Sequence, residues 1–255
     1  MLSGTELALA GLAAVAAGLI NALAGGGTLV SFPTLIAMGI PPVVANITNT
    51  VALCPGYLGG ALAQRTDLRG QQRRLLILIP AAIIGGVAGG ALLLLIDEHT
   101  FTVLVPFMIL MAAVLLAVQD RVKIWISSHT GSGERDADGC RRAILPVGIA
   151  AVYGGYFGPG LSVIILAVLG LFIDDNLTRL NALKQCISLA VNVAAAVFFL
   201  FTGLVIWPLA LVMAAGALIG GAAGGTIAGK IDPGRLRWAI VAIGIIVGII
   251  FLVRL

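Results

Sequence analysis

The chain has 255 residues, of which 60% are hydrophobic and 10% are Asp, Glu, Lys or Arg, where a soluble domain carries about 25% charged residues. So few charges exclude a soluble globular domain of this size, and the long unbroken apolar runs exclude a β-barrel with its short alternating strands. An all-α, polytopic membrane protein remains, and the net charge of +4 reads loop by loop as an orientation signal, not as an affinity for nucleic acid.

The apolar segments in chain order are 5–24, 28–40, 43–63, 75–96 and 101–119, then 143–157, 161–173, 177–202, 207–229 and 236–254. The first resembles a signal-peptide core ending in Ala22-Leu23-Ala24, but no Lys or Arg precedes it. A signal peptide carries a basic n-region, so the segment is retained in the mature fold. It ends at Gly25-Gly26-Gly27, and segment 28–40 begins directly after. That second segment, like its counterpart 161–173, falls short of the ~20 helical residues a full crossing needs. Each is expected to tilt, to cross a thinned region, or to pair with its predecessor as a re-entrant hairpin.

The chain repeats itself. "IGGVAGGALLLLIDEHTF" (Ile84–Phe101) aligns with "IGGAAGGTIAGKIDPGRL" (Ile219–Leu236) at an offset of 135 residues. The same offset carries Asn46 onto Asn181, Asn49 onto Lys184 and Thr50 onto Gln185. Near the glycines the offset is 133, placing Gly25 on Gly158 and Gly27 on Gly160; a two-residue insertion in "LFIDDN" accounts for the change. The expected organisation is an N-terminal transmembrane repeat over 1–120, a cytoplasmic linker over 121–141 and a C-terminal transmembrane repeat over 142–255. The polar stretch "SSHTGSGERDADGCRR" falls in the linker.

Charge bias orients the two copies. "QRTDLRGQQRR" (Gln64–Arg74) holds four Arg and is expected in the cytoplasm, whereas "DEHT" (Asp97–Thr100) holds no Lys or Arg and is expected outside. In the second copy the bias reverses: "FTGLVIW" is uncharged and "KIDPGRLR" is basic. Two units of an odd number of crossings, inserted upside down relative to each other, would give this pattern. Inverted repeats of that kind characterise many secondary transporters.

Irregular backbone survives at membrane depth only within protein or beside a water-filled cavity. The breaks at Gly25, Gly26 and Gly27 and at Gly158-Pro159-Gly160 are therefore candidate sites, each starting a helix whose free amides and positive dipole end favour an anion. Thr28 and Ser162 add hydroxyls just past the breaks. The glycine runs 85–90 and 220–225 read instead as helix-packing surfaces. The third segment of each copy is polar on one face. Asn46 and Asn49 are three apart, as are Asn181 and Lys184, with Thr50 and Gln185 beside them. Lys184 is the one cation clearly inside an apolar segment, where a charge is costly and functional by default; snorkelling toward Asp174 and Asp175 is the competing account. One fixed positive charge with no intramembrane acid favours an anionic substrate. Asp97 and Asp232 read as helix caps. Arg179 reads as a partner of Asp175 or as a gate. His99 and His129 lie in loops without catalytic partners. Cys54, Cys140 and Cys186 show no metal or disulfide spacing, and no cofactor is expected.

The stretch "GLINALAGGGTLVSFPTLIAMGIPPVVANITNT" and its echo "GGYFGPGLSVIILAVLGLFIDDNLTRLNALKQ" resemble the TauE/SafE (sulfite exporter) family, also called the toluene-sulfonate uptake permease family. The resemblance spans essentially the whole chain. In the echo, Pro159 and Leu161 interrupt the glycine signature and no proline stands at Leu166. The resemblance implies a multi-pass carrier of the bacterial inner membrane that exports sulfite, an organosulfonate or a related small sulfur-containing anion. A passive anion channel and an intramembrane enzyme acting on a sulfur compound are the alternatives. Proton coupling would fall to Lys184 or to the substrate, because no buried carboxylate offers a relay.

Overall fold

The computed structural model describes residues 3–23, 26–129, 136–227 and 233–253. Gly25 and Asp232 lie outside these stretches. The described residues form eleven helices: α1 (Gly4–Leu23), α2 (Thr28–Ala37), α3 (Pro42–Ala63), α4 (Gln72–Leu95), α5 (Glu98–His129), α6 (Asp136–Arg142), α7 (Ile144–Tyr156), α8 (Leu161–Phe172), α9 (Leu177–Leu200), α10 (Trp207–Ile227) and α11 (Pro233–Val253). Six of them are long and apolar enough to cross a membrane. Their outward side chains, among them Leu76, Leu95, Ile246 and Ile249, are exposed; on a protein in water such a surface would aggregate, and in a bilayer it meets acyl chains. The chain is an all-helical, multi-pass membrane protein.

Two elements, α5 and α6, depart from the expected segments, whereas α7 keeps to its own. Helix α5 runs 32 residues, about 48 Å at 1.5 Å per residue, against a hydrocarbon core of about 30 Å. Its last turns enter the stretch read as linker because Val122 and Ile126 recur four apart; Ile126 is buried in one of the cores and sits directly against Gly170 of α8. Helix α6 also forms in that stretch and buries Cys140 in the same core. Helix α7 has only 13 residues, so the α7–α8 pair makes a short hairpin of about 20 Å and 18 Å arms.

The packing crosses between the halves of the chain. The most extensive contacts are α1 against α10 and α4 against α7, followed by α3 against α10, α5 against α11 and α4 against α9. Exchanging each helix for its counterpart 133–135 residues away turns α1–α10 into α7–α4, and α3–α10 into α9–α4. Glycines make these pairs close. Gly216, Gly220 and Gly224 of α10 lie against the α1 backbone, and Gly85 and Gly89 of α4 against that of α7, the small-residue contact that brings membrane helices together.

The contacts also fix directions. Gly11 lies by Val212 and Leu19 by Gly224, so α1 runs parallel to α10. Gly85 meets Gly148 and Gly89 meets Val152 and Tyr156, so α4 and α7 are parallel. Thr48 accepts from the Ile206 amide and Gly56 lies by Ala217, making α3 parallel to α10. Cys54 contacts the Asn192 carbonyl and Gln64 contacts Asn181, making α3 antiparallel to α9. Arg74 pairs with Asp175 at the start of α9 and Gly90 meets Phe198 near its end, so α4 is parallel to α9. It follows that α1 and α7 point in opposite directions, and their hairpins enter the bundle from opposite ends.

The two ends of the bundle differ. At one, the Arg-rich loop after α3 is tied to α9: Arg74 and Arg179 both pair with Asp175, Arg179 donates to the Arg69 carbonyl, and buried Gln71 donates to the Arg179 carbonyl. Arg179 is thus held in the turn as a partner of Asp175. Arg237 of α11 grips both oxygens of Asp120 of α5 at the same end. At the other end Asp97 caps α5, accepting from the Thr100 amide and hydroxyl at 2.8 Å each. Between this end and the chain breaks lies an aromatic cluster in which Phe157 packs edge-on against Phe32 and Phe101, and Phe101 against Tyr156.

Candidate functional site

Both breaks depend on glycine. Gly26, Gly158 and Gly160 have φ of +88°, +91° and +84°, a region that costs an L-residue roughly 1–2 kcal/mol and glycine almost nothing. Polar side chains brace the turns. Tyr153 donates its hydroxyl to the Pro159 carbonyl at 2.6 Å. Asn21 accepts from the Gly27 amide at 2.8 Å, and Tyr57 of α3 lines the same cavity as Asn21 and Thr28. Neither α2 nor α8 has a side-chain cap at its first residue. The Ser162 amide takes no backbone acceptor among the described residues, which leaves an N–H at the positive end of α8 for a ligand.

A cavity of about 360 Å³ lies where the breaks approach α3, α5, α9 and α10. Of the residues singled out from sequence, Gly26, Thr28, Gly158, Gly160, Ser162, Asn181, Lys184 and Gln185 line it. Four others do not, and Gly25 lies outside the described residues. Gly27 is buried against the Ala17 carbonyl. Asn46 and Asn49 are each 1% exposed, and Asn46 donates to the Tyr156 carbonyl at 2.9 Å, crossing to the end of α7. Thr50 turns its hydroxyl onto the Asn46 carbonyl. Sequence symmetry treats the α3 and α9 faces as equivalent. In this conformation Asn181, Lys184 and Gln185 of α9 reach the cavity, whereas packing covers Asn46 and Asn49 and α3 lines the cavity with residues further along, among them Tyr57 and Gln64.

Lys184 is 8% exposed. Its ammonium donates to Asn181 Oδ1 at 2.7 Å, and Asn181 Nδ2 donates to Gln64 Oε1 at 3.0 Å. The chain Lys184–Asn181–Gln64 thus points the carbonyl oxygen of a neutral amide at the charge without neutralising it. Snorkelling toward Asp175 is not the arrangement adopted, because that carboxylate is engaged by Arg74 and Arg179. An ammonium has three donors; the remaining ones are available to a guest in the cavity.

Ser188, on the same helix face as Asn181 and Lys184, also lines the cavity, whereas six further polar lining residues were not singled out from sequence: Asn21, Tyr57, Gln64, Gln119, Lys123 and Asn192. Two signals for them existed. Asn192 continues the polar stripe of Lys184 and Ser188 at four-residue spacing, and Gln119 and Lys123 are four apart on α5. Among the described residues the lining holds two lysines and no carboxylate. Such a cavity is suited to an anion with several oxygen atoms, held by ammonium groups, carboxamides and hydroxyls. Among the described lining residues no hydroxyl nucleophile is hydrogen-bonded to a base, the Ser188 hydroxyl having no partner. Cys186 does not line it, and the Cys54 thiol is engaged with the Thr50 and Asn192 carbonyls.

Comparison with known proteins agrees with this architecture. The profile of the family described as Sulfite exporter TauE/SafE matches residues 10–251. A "Probable membrane transporter protein" of Haemophilus influenzae is 26% identical over 209 residues, covering 80% of this chain and 78% of that protein. The Escherichia coli K12 "Probable membrane transporter protein YfcA" is 22% identical over 215 residues, 81% of this chain and 75% of that one. A "Probable membrane transporter protein ORF9" of Sinorhizobium is 24% identical over 224 residues, 86% and 81% respectively. No solved structure matches. With its helical bundle, its broken hairpins and a family match over nearly its whole length, the chain belongs to the TauE/SafE sulfite exporter family and is a membrane transporter.

Proposed function

We propose that the protein is a secondary transporter of the bacterial inner membrane that exports a small sulfur-containing anion, sulfite or an organosulfonate, by alternating access. The observation that carries this reading is a cavity lined, among the described residues, by two lysines, carboxamides, hydroxyls and no carboxylate. The family's description as sulfite exporters supplies the substrate class.

In this reading the two halves are inverted repeats, a view supported by the opposed directions of α1 and α7 and by the exchange of helix contacts between halves. The guest sits between the two breaks. The Lys184 ammonium supplies charge, Asn181 holds that ammonium in place, and Thr28, Ser162 and Gln185 donate to oxygen atoms. The cavity adjoins the arginine-rich end, which the positive-inside rule assigns to the cytoplasm, and the aromatic cluster of Phe32, Phe101 and Phe157 closes the other side. The conformation is therefore inward-facing, ready to load from the cytoplasm. Release would require the part of α3 that carries Asn46, Asn49 and Thr50 to open as the α9 face closes.

The test is counterflow. Purified protein in liposomes preloaded with sulfite should take up radiolabelled sulfite saturably, and Lys184→Gln should cut the initial rate about tenfold or more, with Lys184→Arg retaining part of it. A current linear in voltage without counterflow would make the protein a channel. Equal rates for Lys184→Gln and the parent would remove Lys184 from the site.

A further inference from the structure

The cavity has a second cation that sequence position disguised. Lys123 sits at the end of α5 beside the polar linker, where a lysine ordinarily serves only to mark the cytoplasmic side. Here α5 continues past the expected boundary, and Lys123 lines the same cavity as Lys184. The nearest acid on its own helix is Asp120, three residues earlier. Both oxygens of Asp120 accept from the Arg237 guanidinium, whose charge matches that carboxylate, so the pair adds no net charge beside Lys123. Gln119 and Gln64, which also line the cavity near Lys123 in sequence or at the same end, are neutral, and Gln119 Oε1 is buried with no hydrogen-bond partner. The lining therefore carries two positive charges and, among the described residues, none of opposite sign.

We infer that the site selects for charge: Lys123 and Lys184 together make the cavity a receptor for a dianion, preferring a doubly charged sulfur oxyanion over a singly charged sulfonate of equal size. A sphere of 360 Å³ is about 9 Å across, comparable with the Debye length of about 8 Å at physiological salt. A guest held at Lys184 thus feels Lys123 without touching it. Coulomb attraction scales with the charge of the guest, so loss of one lysine weakens a dianion by twice the logarithmic factor it weakens a monoanion. Gln119, four residues before Lys123, is placed to bring its unpartnered carbonyl or its amide to the same guest.

This inference rests on the anion-transporter reading and sharpens it to a charge class. The experiment measures binding of sulfate and of methanesulfonate to the purified full-length chain by calorimetry, at one pH and one ionic strength. Both probes carry a tetrahedral sulfur and three or four oxygens, and they differ by one charge. The parent should bind sulfate about tenfold more tightly or better. Lys123→Gln should weaken sulfate about tenfold and methanesulfonate only about threefold, as a charge removed at roughly 8–10 Å implies. Lys123→Arg should keep the parent's discrimination to within about twofold, which separates the charge from any general disturbance of α5. Equal losses for both anions in Lys123→Gln, or a parent that binds them alike, would overturn the charge-selection inference while leaving an anion site. Failure of the parent to bind either anion would overturn the inference and the substrate reading together.

Discussion

The close approach of α4 to α7 can be tested by one methyl group. A Cβ placed on Gly89 would lie 2.0 Å from the Val152 carbonyl oxygen and 2.7 Å from the Tyr156 amide nitrogen. Both are backbone atoms, so no side chain can swing aside, and the helices would have to part by about 1 Å or more. Overpacking of this kind costs about 1–3 kcal/mol, while Gly→Ala in a helix returns up to about 1 kcal/mol of backbone entropy. The net for Gly89→Ala is a loss of about 1–2 kcal/mol. Gly148, on α7 in the same helix pair, is the control: its added Cβ would meet only the Ala81 methyl at 4.0 Å. Gly148→Ala should be neutral or stabilising by up to about 1 kcal/mol. Thermal unfolding in a mild detergent, followed by intrinsic fluorescence, reads the difference. At about 2–4 °C per kcal/mol for a chain of this size, Gly89→Ala should melt several degrees below Gly148→Ala. A Gly89→Ala protein as stable as Gly148→Ala would mean that α4 and α7 do not touch backbone to backbone, and the parallel pairing described above would have to be abandoned.

Other outcomes follow from the same contacts. Burial raises the Asp175 pKa, but hydrogen bonds from Arg179 and Arg74 outweigh it and leave the carboxyl below its ordinary value. The folded value being the lower one, this group's contribution is complete above the unfolded pKa of about 3.9 and is lost as pH falls through the depressed folded value. Asp175→Asn should therefore cost about 1–3 kcal/mol near neutral pH and should flatten the parent's acid-induced drop in melting temperature; an unchanged acid limb would show that the carboxylate is not held by the two arginines. In a background lacking Cys54, Cys140 and Cys186, Gln185→Cys should react with a charged thiol reagent applied from the cytoplasmic side and be protected by sulfite, whereas Asn49→Cys should resist. Equal labelling of the two would contradict the burial of Asn49. Asn181→Leu should weaken sulfite binding about tenfold while Lys184 remains, since the ammonium loses the 2.7 Å acceptor that positions it; calorimetry showing unchanged affinity would dismiss that positioning.

Much of the bundle was legible because the signals were local. Triple glycine at 25–27 and Gly-Pro-Gly at 158–160 interrupt apolar runs, and backbone interruption in lipid needs a cavity whatever the rest of the chain does. Lys184 stood out for the same reason, a charge where charge is expensive. What failed to show was non-local. Asn46 and Asn49 form the same pattern as Asn181 and Lys184, and only non-local contacts of α3, among them the Asn46 hydrogen bond to the Tyr156 carbonyl, decide that the first pair is covered. Lys123 was disguised by its neighbours: in a polar stretch it reads as a topology marker, and only the docking of Ile126 on Gly170 carries the helix far enough to place it at the cavity. The α6 helix was equally hidden, since its sequence is polar and, among its described residues, Cys140 is the one that joins a hydrophobic core.

The pairing of α1 with α10 bears on how the protein is made. These helices are partners in the most extensive contact of the bundle, yet roughly two hundred residues of chain separate them. At ribosomal speeds of about 5–20 residues per second, the first helix waits some ten to forty seconds for its mate to emerge. During that interval its glycine-flanked face has only lipid or a chaperone-like insertase against it. The most extensive contact of α1 is thus completed only after α10 has been made.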